Sequence, residues 1–278
     1  MGNTQPKNRT GRKETKEKLE KAQKLGILSL SEHGLESLPP QVFEITTLRT
    51  LDLSNNKLIS LGRLNQLKEL KSLNLDGNKL LTGSLGPISA LTKLQTLSVK
   101  RNKLGTSVQS EFGNVPAAPL PSMPASLKQL YLAENPLGAV PDSLLTGTLV
   151  KLELLDLSQA GIRELPLEIV LLTALQELRL DDNQIDFLHP NMGQLKKLKV
   201  LSLRNNAFHV ANTKFSERNP QPLPKGLFVD TPLIDLNLHG NQMTNTQLNE
   251  FEGFQEFLQR RQKVKSKTMT NLSVCGLQ

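Results

Sequence analysis

One short phrase returns nine times along this chain and restricts its fold more than any other feature. The phrase is leucine-x-x-leucine-x-leucine-x-x-asparagine, first complete from Leu48 to Asn56. Its last position recurs as follows: His33, Asn56, Asn78, Asn102, Asn135, Ala160, Asn183, Asn206 and Asn241. Six of these intervals span 22 to 25 residues, and the other two span 33 and 35 residues. Such spacing predicts stacked structural repeats, two of which carry insertions.

The alternation inside the phrase predicts how each repeat folds. In Leu51-Asp52-Leu53 the leucines face the interior and Asp52 faces outward, because successive residues of a strand alternate. The asparagine amide can bond backbone groups of its own and adjacent coils. At the two exceptions, we expect the His33 imidazole to substitute in part, and water or a neighbour to replace the amide at Ala160. The sequence therefore predicts an α/β leucine-rich-repeat solenoid, a curved horseshoe of about nine coils with a parallel β-sheet on its concave face.

Length and composition leave room for this solenoid and two capped ends. The chain has 278 residues, with one tyrosine and one cysteine, Cys275, which cannot form an internal disulfide. Without a visible secretory signal or a long apolar stretch, we expect a cytoplasmic monomer. The predicted organisation is a flexible basic N-terminus over 1–11, a capping helix over 12–26, the solenoid over 27–245, a second capping helix over 246–267 and a flexible tail over 268–278.

Amphipathic segments predict the two caps. Leu19, Ala22 and Leu25 share one face of the N-terminal helix, and Gly26 is placed to end it. The C-terminal segment carries an apolar stripe: Leu248, Phe251, Phe254, Phe257 and Leu258. The stripe fits a docking surface for a partner helix or a cover for the last coil. We favour the cover, because the open end of a solenoid needs one.

Prolines cluster in the two insertions, residues 105–126 and 211–231. Proline at that density predicts exposed, extended loops. These loops are either a pair of recognition loops or tolerated expansions on the convex side. We favour the second interpretation.

Charge is uneven along the chain and bears on the choice of partner. Of 34 basic and 26 acidic residues, residues 1–24 hold eight basic and three acidic, and residues 255–278 hold five basic and one acidic. The remaining repeats are nearly neutral. A nucleic-acid reader would carry lysine and arginine along its working face, so we do not expect a nucleic-acid partner. RNA or DNA contact through the basic ends is the weaker alternative to an anionic membrane surface.

The first residues, MGNT, open like an N-myristoylation signal, in which Met1 is removed and Gly2 is acylated. Pro6 departs from the pattern, because serine or threonine usually stands there. The alternative is an unmodified N-terminus. One myristoyl chain binds membranes only weakly, so nearby basic residues would share the contact. The predicted membrane contacts are Lys7, Arg9, Arg12 and Lys13.

Both ends and the coils between them resemble the leucine-rich repeat-containing protein 57 family. The likeness rests on these segments: the opening MGN, the stretch from Ala22 to Gly26, His239-Gly240-Asn241, Leu248, Glu252-Gly253-Phe254 and Arg260-Arg261. The resemblance implies an intracellular, N-myristoylated protein with a poorly defined biochemical role. The chain departs from the family at the two insertions and over residues 268–278, so a partner does not carry over from it.

Catalytic chemistry finds no support in the sequence. The four histidines, at positions 33, 189, 209 and 239, lie far apart in repeat register. No histidine and cysteine cluster has metal-ligand spacing, and no glycine-rich phosphate loop is present. We expect a protein without enzymatic activity, metal or cofactor.

Binding is expected on the outward residues of the strands. The central row, one residue from each coil, reads Ser29, Asp52, Asn74, Ser98, Tyr131, Asp156, Arg179, Ser202 and Asn237. The next row reads Ser31, Ser54, Asp76, Lys100, Ala133, Ser158, Asp181, Arg204 and His239. Tyrosine and arginine are common interface anchors. The predicted protein-binding residues are Tyr131, Arg179, Arg204, Asp156 and Lys100.

The alternative interpretation of this surface is that a solenoid's concave face must be polar in any case.

The predicted function is a scaffold or adaptor that holds a protein partner on the concave face and is peripheral to membranes. The alternative function is a regulatory subunit of an enzyme such as a phosphatase or a small GTPase.

Overall fold

The computed structural model describes the backbone of residues 9–110, 113–210 and 221–267. Nine strands form one parallel sheet in chain order. They are β1 Ile27–Ser29, β2 Thr50–Asp52, β3 Ser72–Asn74, β4 Thr96–Ser98, β7 Gln129–Tyr131, β8 Leu154–Asp156, β9 Glu177–Arg179, β10 Val200–Ser202 and β11 Asp235–Asn237. A separate antiparallel hairpin joins β5 Val108–Ser110 to β6 Gly113–Val115. The predicted nine-coil solenoid is confirmed.

Helical segments connect and cap the coils. The α-helices are α1 Arg9–Leu25, α2 Lys225–Val229, α3 Asn245–Asn249 and α4 Phe254–Lys267. Return paths between strands contain short 3-10 helices at Pro40–Glu44, Leu64–Gln66, Thr82–Ala90, Asp142–Leu144, Leu167–Leu171 and Pro190–Gln194. Within the described residues, no helix combines the length and apolar character needed to cross a membrane.

The ladder asparagines hold the coils together as predicted. Asn183 is buried, and its Nδ2 donates to the carbonyl oxygens of Leu157 and Leu180 at 3.0 and 2.9 Å. Its Oδ1 accepts from the backbone N–H groups of Ala160 and Ile162 at 3.1 and 2.9 Å. Each such side chain therefore satisfies backbone groups that burial would otherwise leave unpaired.

A neighbour, rather than an equivalent amide, compensates at Ala160, which is fully buried. In other coils the N–H two residues beyond the ladder position donates to the next ladder asparagine, as Ile162 does to Asn183. Leu137 faces Ala160 instead, and its N–H donates to the Asn135 carbonyl of its own coil at 2.8 Å. The fifth coil thus satisfies the Leu137 N–H within itself, and the next N–H, that of Gly138, donates to the Ala160 carbonyl of the sixth coil at 2.9 Å.

The N-terminal helix α1 packs against β1, and Ala22 on its inner face is fully buried. Gly26 has φ +69° and its N–H donates to the Ala22 carbonyl, which ends the helix. The prediction that Leu25 lies on the buried face is wrong, because Leu25 is 70% exposed. Leu25 is the last residue of the helix, directly before the turn at Gly26. The helix begins at Arg9 rather than at the predicted residue 12.

The C-terminal end contains two helices, α3 and α4, where the sequence suggested one. Thr244 and Gln247 form a reciprocal capping box that starts α3. Gly253 then breaks the path at φ +86°, where a Cβ would lie 2.8 Å from Val229 Cγ2. Phe251, Phe254 and Phe257, as well as Leu248, are buried, so the stripe covers the last coil.

The insertions are less exposed than their prolines suggest. The first contains the β5–β6 hairpin, yet Leu120 and Met123 near its end are buried. In the second, residues 211–220 lie outside the described part, and α2 follows with Leu227 and Phe228 fully buried. The prediction of an exposed loop is wrong there, because apolar residues after Pro224 add a helix to the core.

Candidate protein-binding site on the concave sheet

Strand pairing brings the predicted outward residues into one row. The register places Ser29 beside Asp52, Ser98 beside Tyr131, and so on to Ser202 beside Asn237. Because the strands pair without a slip, this central row runs across all nine coils. The predicted row is confirmed.

Polar side chains on this face bond to one another and fix its shape. Asp76 Oδ1 accepts from Ser98 Oγ at 2.6 Å and from the Lys100 N–H at 2.7 Å. Asp181 Oδ1 repeats the arrangement with Ser202 Oγ at 2.6 Å and the Arg204 N–H at 2.9 Å. An aspartate of one coil therefore fixes the next coil, which preorganises the surface.

Tyr131 lies at the middle of the central row and is half-buried. Lys100 Nζ lies 5.5 Å from its ring centroid, a cation-π contact. Burial raises the pKa of Tyr131, the charge of Arg179 opposes this, and the carboxylates of Glu177 and Asp156 add to the rise. The phenol is therefore neutral at pH 7 and able to donate a hydrogen bond.

Asp156, predicted as a contact, lies beneath the accessible surface with 6% of its area exposed. Its Oδ1 accepts from Ser158 N and Ser158 Oγ at 3.1 and 2.8 Å. The register sets it between Tyr131 and Arg179, two large side chains. Asp156 therefore supports the face from within, and its contact with a partner stays a prediction.

The two predicted arginines differ in how far their side chains are held by neighbours. Arg179 Nε and Nη2 each lie 2.6 Å from Glu177 Oε1, which holds the guanidinium against the sheet. Arg204 is exposed in the next row. Both belong to the same face as Tyr131, but only Arg179 lies in its row.

A cavity of about 270 Å³ opens on the sheet across β9, β10 and β11. Its charged lining is Glu177, Arg179, Asp181 and Asp235, and Val200 adds an apolar surface. Sequence reasoning missed Glu177, Val200 and Asp235, which form a third outward row. The signal was available, because a residue two before the central row also faces outward in a strand.

The predicted membrane contacts at the N-terminus lie largely outside the residues whose side chains the structure describes. Gly2 and Lys7 lie outside the described residues. Arg9, Arg12 and Lys13 belong to α1, whose side chains are described from Glu17 onward.

Comparison with known proteins identifies the repeats. The leucine rich repeat family model matches residues 23–80 and 125–185. Adenylate cyclase of Schizosaccharomyces pombe is 31% identical over 222 residues, covering 78% of this chain and 12% of that protein. Keratocan of Mus musculus is 30% identical over 230 residues, covering 80% of this chain and 58% of that protein. The chain thus spans 12% to 58% of the length of these two relatives.

Solved structures show the same fold. One chain of an octameric complex of Latrophilin 3, Unc5D and the leucine-rich-repeat protein FLRT2 aligns with TM-score 0.59 and 17% identity, covering 82% of this chain and 79% of that chain. The ectodomain of the Arabidopsis thaliana receptor kinase GASSHO1/SCHENGEN3, in complex with CASPARIAN STRIP INTEGRITY FACTOR 2, aligns with TM-score 0.52 and 25% identity. That alignment covers 83% of this chain and 30% of the receptor chain.

Fold and surface together define a class of open solenoids that present a parallel sheet as a preorganised polar face. The nine in-register strands and the match to the family model identify the particular kind of solenoid. The chain folds as a leucine-rich-repeat solenoid.

Proposed function

We propose that this chain is a non-catalytic scaffold or adaptor that binds a protein partner on its concave face. The observation that carries the proposal is Tyr131, an amphipathic ring set among fixed polar groups at the middle of the sheet. Such anchors contribute most of the affinity in many protein interfaces. The solved complexes of leucine-rich-repeat chains with other proteins support this use of the fold.

The cavity across β9 to β11 suggests the chemistry of the partner. Arg179 is paired with Glu177, which leaves the carboxylates of Asp181 and Asp235 to set the charge of the lining. Val200 offers apolar surface beside them. A lysine or arginine side chain of the partner matches both features. Its aliphatic stem suits the apolar surface, and its charged end suits the carboxylates.

The test is Tyr131→Ala beside Tyr131→Phe, with captured proteins quantified by mass spectrometry. Tyr131→Ala should weaken partner binding by about 2 kcal/mol or more, while the melting curve changes little. Tyr131→Phe keeps the ring and should retain most of the binding. Arg204→Ala should act in the same direction as Tyr131→Ala.

Charge changes in the insertions serve as the contrasting set, because they lie off the central row. A partner lost through those changes but retained by Tyr131→Ala would move the binding site off the sheet. If the captured partner is an enzyme whose activity changes on binding, the chain acts as a regulatory subunit through this same face.

We further propose that Gly2 is myristoylated and that the basic residues after it share the membrane contact. The opening MGNT and the resemblance of both ends to the leucine-rich repeat-containing protein 57 family support this. Co-expression with an N-myristoyltransferase should remove Met1 and add one acyl chain, seen by intact mass. Gly2→Ala should abolish the addition, and an unmodified mass for the unaltered chain would refute the lipid anchor.

A further inference from the structure

One edge of the solenoid collects positive charge. Three positions before each strand lie on this edge, at four, three and one residues before its first residue. In the third coil, whose strand begins at Ser72, they hold Lys68, Glu69 and Lys71. The equivalent positions of the second to ninth coils hold these basic residues, all exposed: Arg49, Lys68, Lys71, Lys93, Lys128, Lys151, Lys196, Lys197 and Lys199. The same positions hold two acidic residues, Glu69 and Glu153. These positions are called the basic edge below.

The opposite edge, where the strands end, lacks this imbalance. The residues directly before and after the ladder positions supply four basic and three acidic side chains there: Lys57, Lys79, Arg101, Lys103, Glu32, Glu134 and Asp182. The repeats are close to neutral as a whole, so the basic edge reflects segregation of charge rather than excess.

The solenoid turns this segregation into a continuous row. Neighbouring parallel strands lie about 4.8 Å apart, and the strands pair in register, so equivalent edge positions stack coil upon coil. Backbone bonds on the edge repeat in the same way, as where the Lys71 N–H donates to the Arg49 carbonyl at 2.8 Å. A partner lying along the edge would therefore meet a cation on most coils.

Few of these charges are neutralised within the protein. Ion pairs join Lys93 to Glu69 at 2.6 Å and Lys128 to Glu153 at 3.6 Å. Lys196 lies 4.0 Å from Asp230. The hydrogen bond from Lys93 lowers the pKa of Glu69, and the charges of Arg49 and Lys71 add to the shift. For the other six cations, no carboxylate among the described residues lies within 4 Å.

We propose that the basic edge docks on an anionic lipid bilayer surface. Eight of its nine cations are lysines, which act as point charges and suit a diffuse layer of headgroups better than paired recognition of single phosphates. Exposed apolar side chains accompany them: Val150 is 50% exposed on the edge, and Leu25, next to Gly26 at its end, is 70% exposed. No aromatic residue occupies an edge position to stack a nucleic-acid base.

This inference is independent of the concave-face partner and of acylation at Gly2. It predicts that a surface of the folded coils contacts the membrane, and that this contact also forms when the chain carries no acyl group. Each lysine held near an anionic leaflet strengthens binding about fivefold, so several together make a stable, salt-sensitive contact.

The test uses the full chain made without an N-myristoyltransferase and sedimented with phosphatidylcholine vesicles, with or without about 30% phosphatidylserine. One variant carries Lys71→Glu, Lys151→Glu and Lys199→Glu on the basic edge. The matched control carries Lys57→Glu, Lys79→Glu and Lys103→Glu on the opposite edge, with the same net charge. Thermal melting checks that both variants fold.

The basic-edge variant should lose binding to the anionic vesicles by about tenfold or more, and the control by about threefold or less. Vesicles of phosphatidylcholine alone should bind neither. Equal losses in the two variants would reduce the effect to net charge and overturn the proposal, as would absence of binding to anionic vesicles. Tighter binding of a single-stranded oligonucleotide, lost in the basic-edge variant, would assign the edge to nucleic acid instead.

Discussion

Phe254→Ala is expected to lower the free energy of unfolding by about 3 to 5 kcal/mol, the usual cost of removing a buried ring. Phe254 is 4% exposed in the C-terminal cap. Its ring centroid lies 5.4 Å from that of Phe228, edge to face, and 5.5 Å from that of Phe257. Truncation leaves a cavity between α4 and α2, so urea unfolding should show a lower midpoint.

Val229→Ala is the matched control for this change. Val229 lies next to Phe228 on α2 but is 40% exposed, so its truncation should cost much less. Since coils interact with nearest neighbours, loss of the cap should also fray the last coils and broaden the transition. Near-equal effects of the two substitutions would show that the C-terminal helices do not belong to the cooperative core.

Gly105→Ala is expected to cost about 3 to 5 kcal/mol, because it combines backbone strain with a clash. Gly105 has φ +83°, and a Cβ there would lie 2.3 Å from the Pro136 carbonyl oxygen and 2.7 Å from Leu137 Cα. Both atoms are backbone, so neither moves without displacing the fifth coil. The melting temperature reports the loss.

Gly138→Ala separates the two contributions. Gly138 has φ +74°, yet nothing lies within 4 Å of its added Cβ, so only the backbone strain of about 1 to 2 kcal/mol remains. A Gly105→Ala protein no less stable than Gly138→Ala would show that the fourth and fifth coils tolerate separation at this point.

Repetition made the sheet predictable from sequence. The positions of Leu51, Leu97 and Leu201 relative to their asparagines recur in every coil, and a shift by one residue would expose the whole leucine set. Correct burial in one coil therefore requires it in all, so the central row followed directly. The ladder bonds of Asn183 followed for the same reason.

Features that occur once were not predictable. Leu25 has a core-type side chain, but the turn at Gly26 decides its exposure. Gly253 breaks the apolar stripe into two helices because Val229 of a different coil lies beside it. In the second insertion, the density of prolines predicted an exposed loop, although the apolar residues that follow form α2. Asp156 is 6% exposed between the paired positions of Tyr131 and Arg179, a property that its own position in the repeat does not encode.

The cavity illustrates the same limit at the candidate site. Glu177 and Asp235 belong to strands two coils apart, and their relation depends on the curvature and packing that bring β9 and β11 to one cavity. Each residue alone is an ordinary outward position. The repeat places them in one row with Val200, but the cavity that this row lines became visible only in three dimensions.

The missing amide at Ala160 leaves the junction between the fifth and sixth coils without a ladder side chain, although backbone bonds such as that from the Gly138 N–H to the Ala160 carbonyl cross it. Cross-coil bonds of Asn135 lie on one side of it and those of Asn183 on the other. Tyr131 and Arg179 flank the same junction, so a partner holding both residues spans it. The Leu137 N–H donates to the carbonyl of Asn135 in its own coil. If a bound partner makes this junction more rigid, amide hydrogen exchange at Leu137 should become slower.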